Sequence, residues 1–311
     1  MKIIRDLHHC PKEYHAAVIA LGNFDGVHRG HQAILRQCIE LARTQNAKAA
    51  VMTFEPHPRE FFSRENGRLR LYPFRRKAEL LRHMGIDALF VMRFTRHSSA
   101  LSAQAFVEEV LHRQLKARHI VTGYNFAFGK GRQGDTAYLT EAASRLGFGF
   151  TTCPPVYDAQ GHAVSSSAIR HALTQGDVQT AKALLGRPYT IEGHVRHGDK
   201  RGRDLGFPTA NIALTRLFKP RFGIYAVRLR IEEGVYDAVA SLGIRPMFGG
   251  AEPLLEVHML AHNADLYGRH VRVEFVGFIR DEQHFATIQA LQEEMARDCI
   301  RAKELLHVSV A

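Results

Sequence analysis

The feature that most constrains this chain is an apolar segment that stops at a glycine-rich turn and leads into a helical pattern. The segment runs from Ala16 to Leu21, and the turn reads Gly-Asn-Phe-Asp-Gly-Val-His-Arg-Gly-His from Gly22 to His31. After the turn, apolar residues recur on one helical face: Ile34, Leu35, Cys38, Ile39, Leu41 and Ala42. The pattern predicts a buried parallel strand, a turn and a helix.

The turn contains the residue types that suit a phosphate group. Glycines let the backbone approach a ligand, and a helix N-terminus offers unpaired N–H groups at the positive end of its dipole. His28 and His31 stand three residues apart at that end, so they would add donors aimed at the same anion. Either histidine could instead be a helix cap or a surface residue, and the pair could be half of a metal site. We interpret the turn as a phosphate site.

Strand-length apolar segments alternate with helical patterns through the first half of the chain. The segments are Ala16–Leu21, Ala49–Phe54, Ala88–Phe94 and His119–Thr122. One of the helical patterns between them consists of Phe106, Val107, Val110, Leu111 and Leu115. The alternation predicts a doubly wound parallel α/β sheet, which binds ligands at the carboxyl ends of its strands.

The pattern changes after Gly186-Arg187-Pro188, which ends a helical pattern over Asp177–Leu185. Five strand-length segments follow: Tyr189–His194, Ile224–Ile231, Val235–Ser241, Leu254–Leu260 and His270–Phe278. A helical pattern over roughly 281–306 comes last. This order predicts a Greek-key-like antiparallel β barrel with a C-terminal helix. The predicted domains are therefore 1–186 and 187–311.

Composition excludes several classes of protein. With 311 residues, 45% hydrophobic and 23% charged, the chain can form two globular cores. Its net charge of +11 would suit nucleic acid or nucleotide phosphates equally well. The four cysteines show no metal-ligand spacing, and no segment has the pattern of a signal peptide or a membrane span. We therefore expect a cytoplasmic location and no membrane partner.

The string from Gly22 to His31 resembles the nucleotidylyltransferase superfamily, and within it the bacterial bifunctional riboflavin kinase/FMN adenylyltransferases. The resemblance implies that His28 and His31 act on the ATP phosphates as catalytic residues. It implies an ATP and FMN site that comprises Gly22, Asn23, Asp25, His28, His31, Asn125, Ser166, Ser167 and Arg170.

Three further segments of the first half support the resemblance. Thr53-Phe54-Glu55-Pro56-His57-Pro58 is a family marker whose role the sequence leaves open. The loop Gly123–Gly134 contains a nominal dinucleotide fingerprint, but several residues separate the fingerprint from the preceding strand, and no acidic residue ends a second strand at the proper distance. It resembles a family loop that lines the cleft, in which Asn125 would contact substrate and Lys130 and Arg132 could face phosphates.

A serine run precedes another predicted helix at Val164-Ser165-Ser166-Ser167-Ala168-Ile169-Arg170. Such a run alone indicates a helix cap. In the resembled family the segment closes on the triphosphate, so that its hydroxyls hold the leaving pyrophosphate and Arg170 offsets its charge. Val164 and Ser167 stand where the family usually has Ile and Thr, and both changes are conservative.

In the second half, Gly-Phe-Pro-Thr-Ala-Asn over Gly206–Asn211 matches the signature of riboflavin kinases. By that resemblance, Thr209 and Asn211 hold Mg²⁺ with the ATP phosphates, and hard oxygen ligands suit this ion. The implied ATP and flavin site comprises Gly198, Lys200, Gly202, Arg203, Gly206, Pro208, Thr209 and Asn211. Composition alone would make the preceding basic loop an ordinary solvated hairpin.

Glu256 lies in a segment, Leu-Glu-Val-His, that matches the one carrying the kinase base. By resemblance it takes the proton of the riboflavin 5′-hydroxyl as that oxygen attacks the γ-phosphorus of ATP. Without the family context it would be an ordinary strand residue. Ser241 and Met247 depart from the family, which has Asn and Thr there.

The resemblance covers nearly the whole chain and implies a two-step enzyme. The barrel would phosphorylate riboflavin to FMN with ATP and Mg²⁺, and the first domain would adenylylate FMN to FAD with release of pyrophosphate. One alternative is a nucleotidylyltransferase whose barrel only binds flavin, as the departures at Ser241 and Met247 would allow. The other is a nucleic-acid-binding protein, which only the net charge favours. We expect small-molecule ligands and no nucleic acid; the oligomeric state stays open.

Overall fold

The computed structural model describes residues 1–62, 69–196, 207–214, 217–247, 250–260 and 266–308. Contacts divide the chain into two compact units, Met1–Ser166 and Ser167–Ala311. Residues 167–186 therefore group with the second unit, in which Gln179 Nε2 donates a hydrogen bond to Val276 O. The domain boundary expected at residue 186 stays a prediction.

The first unit alternates strands and helices. Its strands are β1 (Lys2–Ile4), β2 (Val18–Leu21), β3 (Ala49–Glu55), β4 (Ala88–Arg93), β5 (His119–Gly123) and β6 (Gly149–Cys153). Its helices are α1 (Arg29–Thr44), α2 (Pro58–Phe62), α3 (Phe74–His83), α4 (Arg96–Ser99), α5 (Ala103–Ala105) and α6 (Thr136–Leu146). A π-helical segment continues α5 over Phe106–Gln114, and 3-10 turns lie at Lys12–Tyr14, Asp25–Val27 and Lys130–Arg132.

The six strands form one sheet in the order β1-β4-β3-β2-β5-β6, and every pairing is parallel. Successive residues of β2 pack into different core clusters, Ile19 and Leu21 in one and Val18 and Ala20 in the other. The sheet is therefore buried on both faces, which confirms the predicted doubly wound architecture. The strand order reverses between β2 and β5, and ligands of such sheets bind outside the carboxyl ends at this point.

The second unit contains α8 (Val178–Leu185), six strands and a long terminal helix; α7 (Ser166–Thr174) joins the two units. The strands are β7 (Thr190–Arg196), β8 (Ala210–Ala213), β9 (Gly223–Ile231), β10 (Gly234–Met247), β11 (Gly250–Met259) and β12 (His270–Arg280). They close an antiparallel barrel in the order β10-β11-β8-β7-β12-β9. The run β12-β9-β10-β11 has the Greek-key order, as the sequence predicted.

The terminal helix, α9 (Ile288–Val308), begins later than the residue near 281 that its apolar pattern indicated. Thr287 starts the helix, because its Oγ1 accepts a hydrogen bond from the backbone N–H of Ala290 at 3.1 Å. Asp281 makes a paired contact instead, since its two carboxylate oxygens accept from Arg221 at 2.7 and 2.6 Å. Helix α9 therefore begins after the Thr287 cap and not near residue 281.

Candidate active sites

The glycine-rich turn leaves β2 at the point where the sheet order reverses. Gly22 still donates its N–H to Met52 O on β3 at 3.2 Å, and the chain then forms the 3-10 turn Asp25–Val27. Phe24 is fully buried with a φ of 51°, and Asp25 Oδ1 accepts the N–H of Leu71 at 3.0 Å. Two contacts therefore fix the turn: the Phe24 ring is buried in the core, and the buried Asp25 carboxylate bonds to the backbone of Leu71.

His28 caps helix α1, and this role determines where its proton lies. The ring Nδ1 accepts the backbone N–H of His31 at 3.3 Å. A neutral imidazole that accepts through Nδ1 carries its proton on Nε2, so the ring donor of His28 is Nε2–H. The rings of His28 and His31 stack with centroids 3.6 Å apart and planes at 20°. The pair thus places two imidazoles together at the N-terminus of a helix of 16 residues.

Asn23 lies in the same turn. Its backbone carbonyl is hydrogen-bonded, whereas among the described residues its side-chain oxygen is not, as the following contacts show. Its carbonyl oxygen accepts from Thr53 Oγ1 and Lys77 Nζ, each at 3.2 Å. Its Oδ1 is buried and has no hydrogen-bond partner in the described part of the chain. Because buried polar atoms are normally paired, this amide is a place where a polar group of a ligand is expected.

Charged residues that sequence reasoning missed lie beneath the turn. Lys77, on α3, is 7% exposed, and its Nζ donates to Asn23 O, to Thr53 Oγ1 at 3.0 Å and to Glu55 Oε1 at 3.1 Å. Burial lowers the pKa of Lys77, and the neighbouring Glu55 opposes that shift. The other Glu55 oxygen lies 2.7 Å from Arg70 Nη1. The family marker at Thr53–Pro58 therefore supplies two partners of a buried ammonium group.

Ser166, in the serine run, contacts the turn. Its hydroxyl donates to Asp25 O at 2.9 Å, and the Val164 carbonyl lies 3.4 Å from the position that a Gly30 Cβ would occupy. Ser167 and Arg170 follow Ser166 on α7 and belong to the second unit. Their roles stay predictions.

The loop after β5 begins at the same edge of the sheet, because β2 and β5 are paired neighbours. Asn125 is exposed two residues beyond that strand. Lys130 and Arg132 are exposed on a 3-10 turn that is attached to Leu101 through the Lys130 N–H. A contact between these two basic residues and a phosphate stays a prediction.

An aromatic cluster lies at the carboxyl ends of β3 and β4. The ring of Phe94 is 6.1 Å from Phe54, 5.3 Å from Phe61 and 5.8 Å from Phe62, each nearly perpendicular. Phe62 is 68% exposed. An exposed aromatic ring supported by others at a ligand-binding edge can stack on a planar ligand.

In the barrel, a row of polar residues crosses four neighbouring strands. Asn211 on β8 pairs with Arg196 on β7 and with Glu256 on β11, which in turn pairs with Ser241 on β10. Directly opposite residues of antiparallel strands present their side chains on the same face. Leu255 beside Glu256 is fully buried, so Glu256 lies on the face opposite the barrel core. The register thus brings together residues that are distant in the sequence.

Thr209 and Pro208 immediately precede β8. Thr209 and Asn211 flank Ala210 in an extended segment, so both side chains lie on the same side of it. The loop is attached to β11, because His258 Nδ1 bonds to Pro208 O at 3.0 Å. A hydroxyl, an amide and a carboxylate therefore share one face, as hard cations prefer. The described residues contain no group of three or more His, Cys, Asp or Glu side chains that could hold a metal.

A small crevice beside Glu256 is lined by Ser241, Gly243, Leu254, Glu256 and Glu282. A Cβ at Gly243 would overlap the carboxylate of Glu282, so the absence of a side chain there gives Glu282 its place. The sequence did not identify Glu282 as a site residue. Its position near Glu256 depends on the segment after β12, which no local pattern indicates.

Several predicted residues of the second site lie outside the described residues: Gly198, Lys200, Gly202, Arg203 and Gly206. Met247 lies in β10, although its side chain is not described. Across the described ranges, no helix is both long enough and apolar enough to cross a membrane.

Comparisons with known proteins cover both halves. A model of the FAD synthetase family matches residues 10–168, and a model of the riboflavin kinase family matches residues 185–306. The bifunctional riboflavin kinase/FMN adenylyltransferase of Escherichia coli is 41% identical over 308 residues, which cover 98% of this chain and 97% of that protein. The protein of the same name from Haemophilus influenzae is 40% identical over 304 residues, 97% of this chain and 98% of that protein.

A solved structure is similar over nearly the same length. It is a crystal structure described as a macrolide-efflux protein from Streptococcus pneumoniae. It is 31% identical to this chain and gives a TM-score of 0.85, with 95% of this chain and 96% of that chain covered.

Proposed function

The chain belongs to the bifunctional riboflavin kinase/FMN adenylyltransferase family, and we propose that its two reactions take place at the two sites described above. It is a transferase that phosphorylates riboflavin to FMN with ATP and then adenylylates FMN to FAD, releasing pyrophosphate. We also propose the domains 1–186 and 187–311; the riboflavin kinase match begins at residue 185, which supports a boundary close to residue 186.

The adenylyltransferase site is the turn from Gly22 to His31 with Ser166, and the single observation that carries this proposal is the capping geometry of His28. The FMN phosphate is an anionic nucleophile at neutral pH, so it needs no base to attack the α-phosphorus of ATP. The charge that develops on the departing pyrophosphate requires donors. His28 Nε2–H and the positive N-terminal end of α1 supply donors and favourable charge in fixed positions.

The remaining predicted residues of this site are proposed to complete it. Asn125 contacts substrate, and Ser167 and Arg170 help to hold the pyrophosphate. We propose that the flavin ring stacks on the cluster of Phe54, Phe61, Phe62 and Phe94, because Phe62 is exposed there. Replacing Phe62 by Ala should raise the KM for FMN at least several-fold, while phosphorylation of riboflavin is unchanged. An unchanged KM for FMN would exclude this ring site.

The kinase site is the polar row around Glu256. Glu256 accepts the proton of the riboflavin 5′-hydroxyl as its oxygen attacks the γ-phosphorus. Asn211, Thr209 and Pro208 lie on or beside the neighbouring strand, and Gly198, Lys200, Gly202, Arg203 and Gly206 are proposed to cover the nucleotide. Ser241 pairs directly with Glu256 where the family has Asn, so a smaller hydroxyl occupies that place here.

Mg²⁺ is the proposed metal of the kinase site, held by Thr209 and Asn211 with ATP. The oxygen-bearing side chains on one face fit this ion, which would offset the charge of the phosphates. The protein residues bind ATP and orient its γ-phosphate toward the flavin hydroxyl. Asn211→Ala should raise the Mg²⁺ concentration that gives half-maximal FMN formation. If that concentration and the rate were unchanged, Asn211 would not be a ligand.

Two single substitutions test the assignment of each reaction to its site. His28→Ala should leave FMN formation from riboflavin intact and lower FAD formation at least 100-fold, about the loss seen when one charge-stabilising donor is removed. Glu256→Gln should do the reverse when FMN is supplied. Chromatography of flavins after incubation with ATP and Mg²⁺ measures both products.

Either variant would contradict the two-site assignment if, while folded, it lost both activities. Wild-type protein that made FAD only from added FMN would support the alternative in which the barrel merely binds flavin. We also propose that the partners are small molecules, with no nucleic acid and no membrane, and that the location is cytoplasmic. Flavin synthesis in the soluble cell fraction and unchanged rates after added RNA or DNA are the expected results.

A further inference from the structure

The buried Lys77 connects the turn after β2 with the end of β3, two segments that are distant from each other in the sequence. Lys77 lies on α3, whereas its three acceptors belong to the turn after β2 and to the end of β3. Thr53 and Glu55 stand two apart on β3, so both side chains face α3. The contact joins the helix, the strand and the nucleotide-binding turn at one atom.

The geometry uses every donor of the ammonium group. An ammonium has three N–H bonds and no acceptor, and Nζ of Lys77 has three oxygen partners between 3.0 and 3.2 Å. The Thr53 hydroxyl accepts from Lys77, and its own proton is donated to Asn23 O. Asn23 O therefore receives two hydrogen bonds, both from this group of residues. The carbonyl can move only if Lys77 or Thr53 moves with it.

The fixed carbonyl also affects the side chain of Asn23. Its Oδ1 is buried with no hydrogen-bond partner among the described residues. A fixed carbonyl fixes the peptide plane and so limits the directions in which the amide can point. We propose that Lys77 is a positioning residue of the adenylyltransferase site, which acts by holding Asn23 so that its amide meets the bound nucleotide. The inference rests on the proposed location of that site.

The charges around Lys77 favour this role over a contact with phosphate. Glu55 bridges Lys77 and Arg70 with its two oxygens, at 3.1 and 2.7 Å, so the lysine charge is offset within the protein. Lys77 is also 7% exposed, with its three donors occupied. A lysine that bound phosphate directly would need at least one donor directed at the ligand.

The substitution Lys77→Met keeps a long apolar chain and removes all three hydrogen bonds. Glu55 retains Arg70, so no carboxylate is left without a partner. We expect kcat/KM for FAD formation from FMN to fall about 10- to 100-fold, the size of effect that a misplaced contact group gives. The rate of FMN formation from riboflavin in the same protein should not change. Thr53→Val should lower kcat/KM for FAD formation by a smaller factor. Thr53→Ser, which keeps the hydroxyl, should retain the wild-type value.

Lys48→Met is the matched control. Lys48 immediately precedes the same strand at its other end, where it is about half exposed and 3.7 Å from Asp87. This variant should keep both activities. If Lys77→Met does not fold, which the loss of the kinase reaction and of cooperative unfolding would reveal, Thr53→Val and Thr53→Ser carry the test.

A double-mutant cycle separates positioning from general support of the fold. Asn23→Ala should itself lower FAD formation, and Lys77→Met should have little further effect in that background. If both substitutions lower the rate and their effects multiply fully, Lys77 does not act through Asn23 and the inference is wrong. If Asn23→Ala has no effect, the proposed site is wrong instead. A fall in the melting temperature of Lys77→Met with unchanged kcat/KM would also overturn the inference.

Discussion

Gly30 stands where any side chain would press on the ring of His28. A Cβ there would lie 3.2 Å from Cε1 and Nδ1 of His28, which is tighter than ordinary van der Waals contact. Alanine favours a helix over glycine by up to about 1 kcal/mol, so stability should hold or improve. The same change should move the imidazole and lower FAD formation.

We therefore predict that Gly30→Ala lowers kcat/KM for FAD formation about tenfold without lowering the melting temperature, because a displaced donor stabilises the transition state less well. Steady-state rates with FMN and ATP, together with a thermal melt, measure the two effects. Phosphorylation of riboflavin by the same protein serves as the control. Full FAD activity in this variant would mean that the position of the His28 ring does not matter.

Among single residues, the sequence predicted those that belong to one short continuous motif. It missed residues that are brought together only by the fold. His28, His31 and Asn23 could be predicted from the sequence because one turn contains all three. Lys77 was not, because its partners stand 22 and more residues away and lysines at helical positions are usually solvated. A buried ammonium is recognisable only when the acceptors around it are known.

Among the secondary-structure elements, the interior strands of the sheet were predictable and the edge strands were not. β2 is fully buried, so its sequence is a continuous apolar run. β1 has three residues with one buried, and β6 reads Gly-Phe-Thr-Thr-Cys with only Cys153 buried. An edge strand that packs so few side chains leaves little periodic signal. In the barrel, β8 was also missed, because a strand of four residues is too short to show a clear periodic pattern.

The amino end of β5 gives a prediction about pH. His119 pairs there with Gln45 through Nδ1 at 3.3 Å and with Thr151 through Nε2 at 2.8 Å, next to Gly149. Burial lowers the pKa of His119 below its ordinary value of 6.5. The unfolded chain therefore binds a proton more readily than the folded chain below that pH, so stability is full above about 6.5 and declines as pH falls.

His119→Gln should remove part of this decline, because glutamine does not titrate. The measurement is the free energy of unfolding from urea titrations at several pH values between 5 and 7.5. The wild-type protein should lose more stability than the variant on going from the upper to the lower limit. Parallel curves for the two proteins would show that His119 does not contribute.

Across the whole molecule, two independent folds carry two chemically linked reactions. One proposed site is centred on the turn at the edge of the parallel sheet, and the other on strands of the closed barrel. The change from alternating helices and strands to strands alone made this division predictable. The boundary at residue 186 stays a prediction, because the helices over residues 167–186 group by contacts with the second unit.

We propose that each reaction has its own site and that FMN made at one site can be used at the other. Mixing His28→Ala with Glu256→Gln tests it in a single measurement, the amount of FAD formed from riboflavin, ATP and Mg²⁺. We predict that neither variant alone makes appreciable FAD from riboflavin, whereas an equimolar mixture does, because the first releases FMN and the second adenylylates it. A mixture that accumulates FMN and makes no FAD, although Glu256→Gln converts added FMN, would contradict the claim.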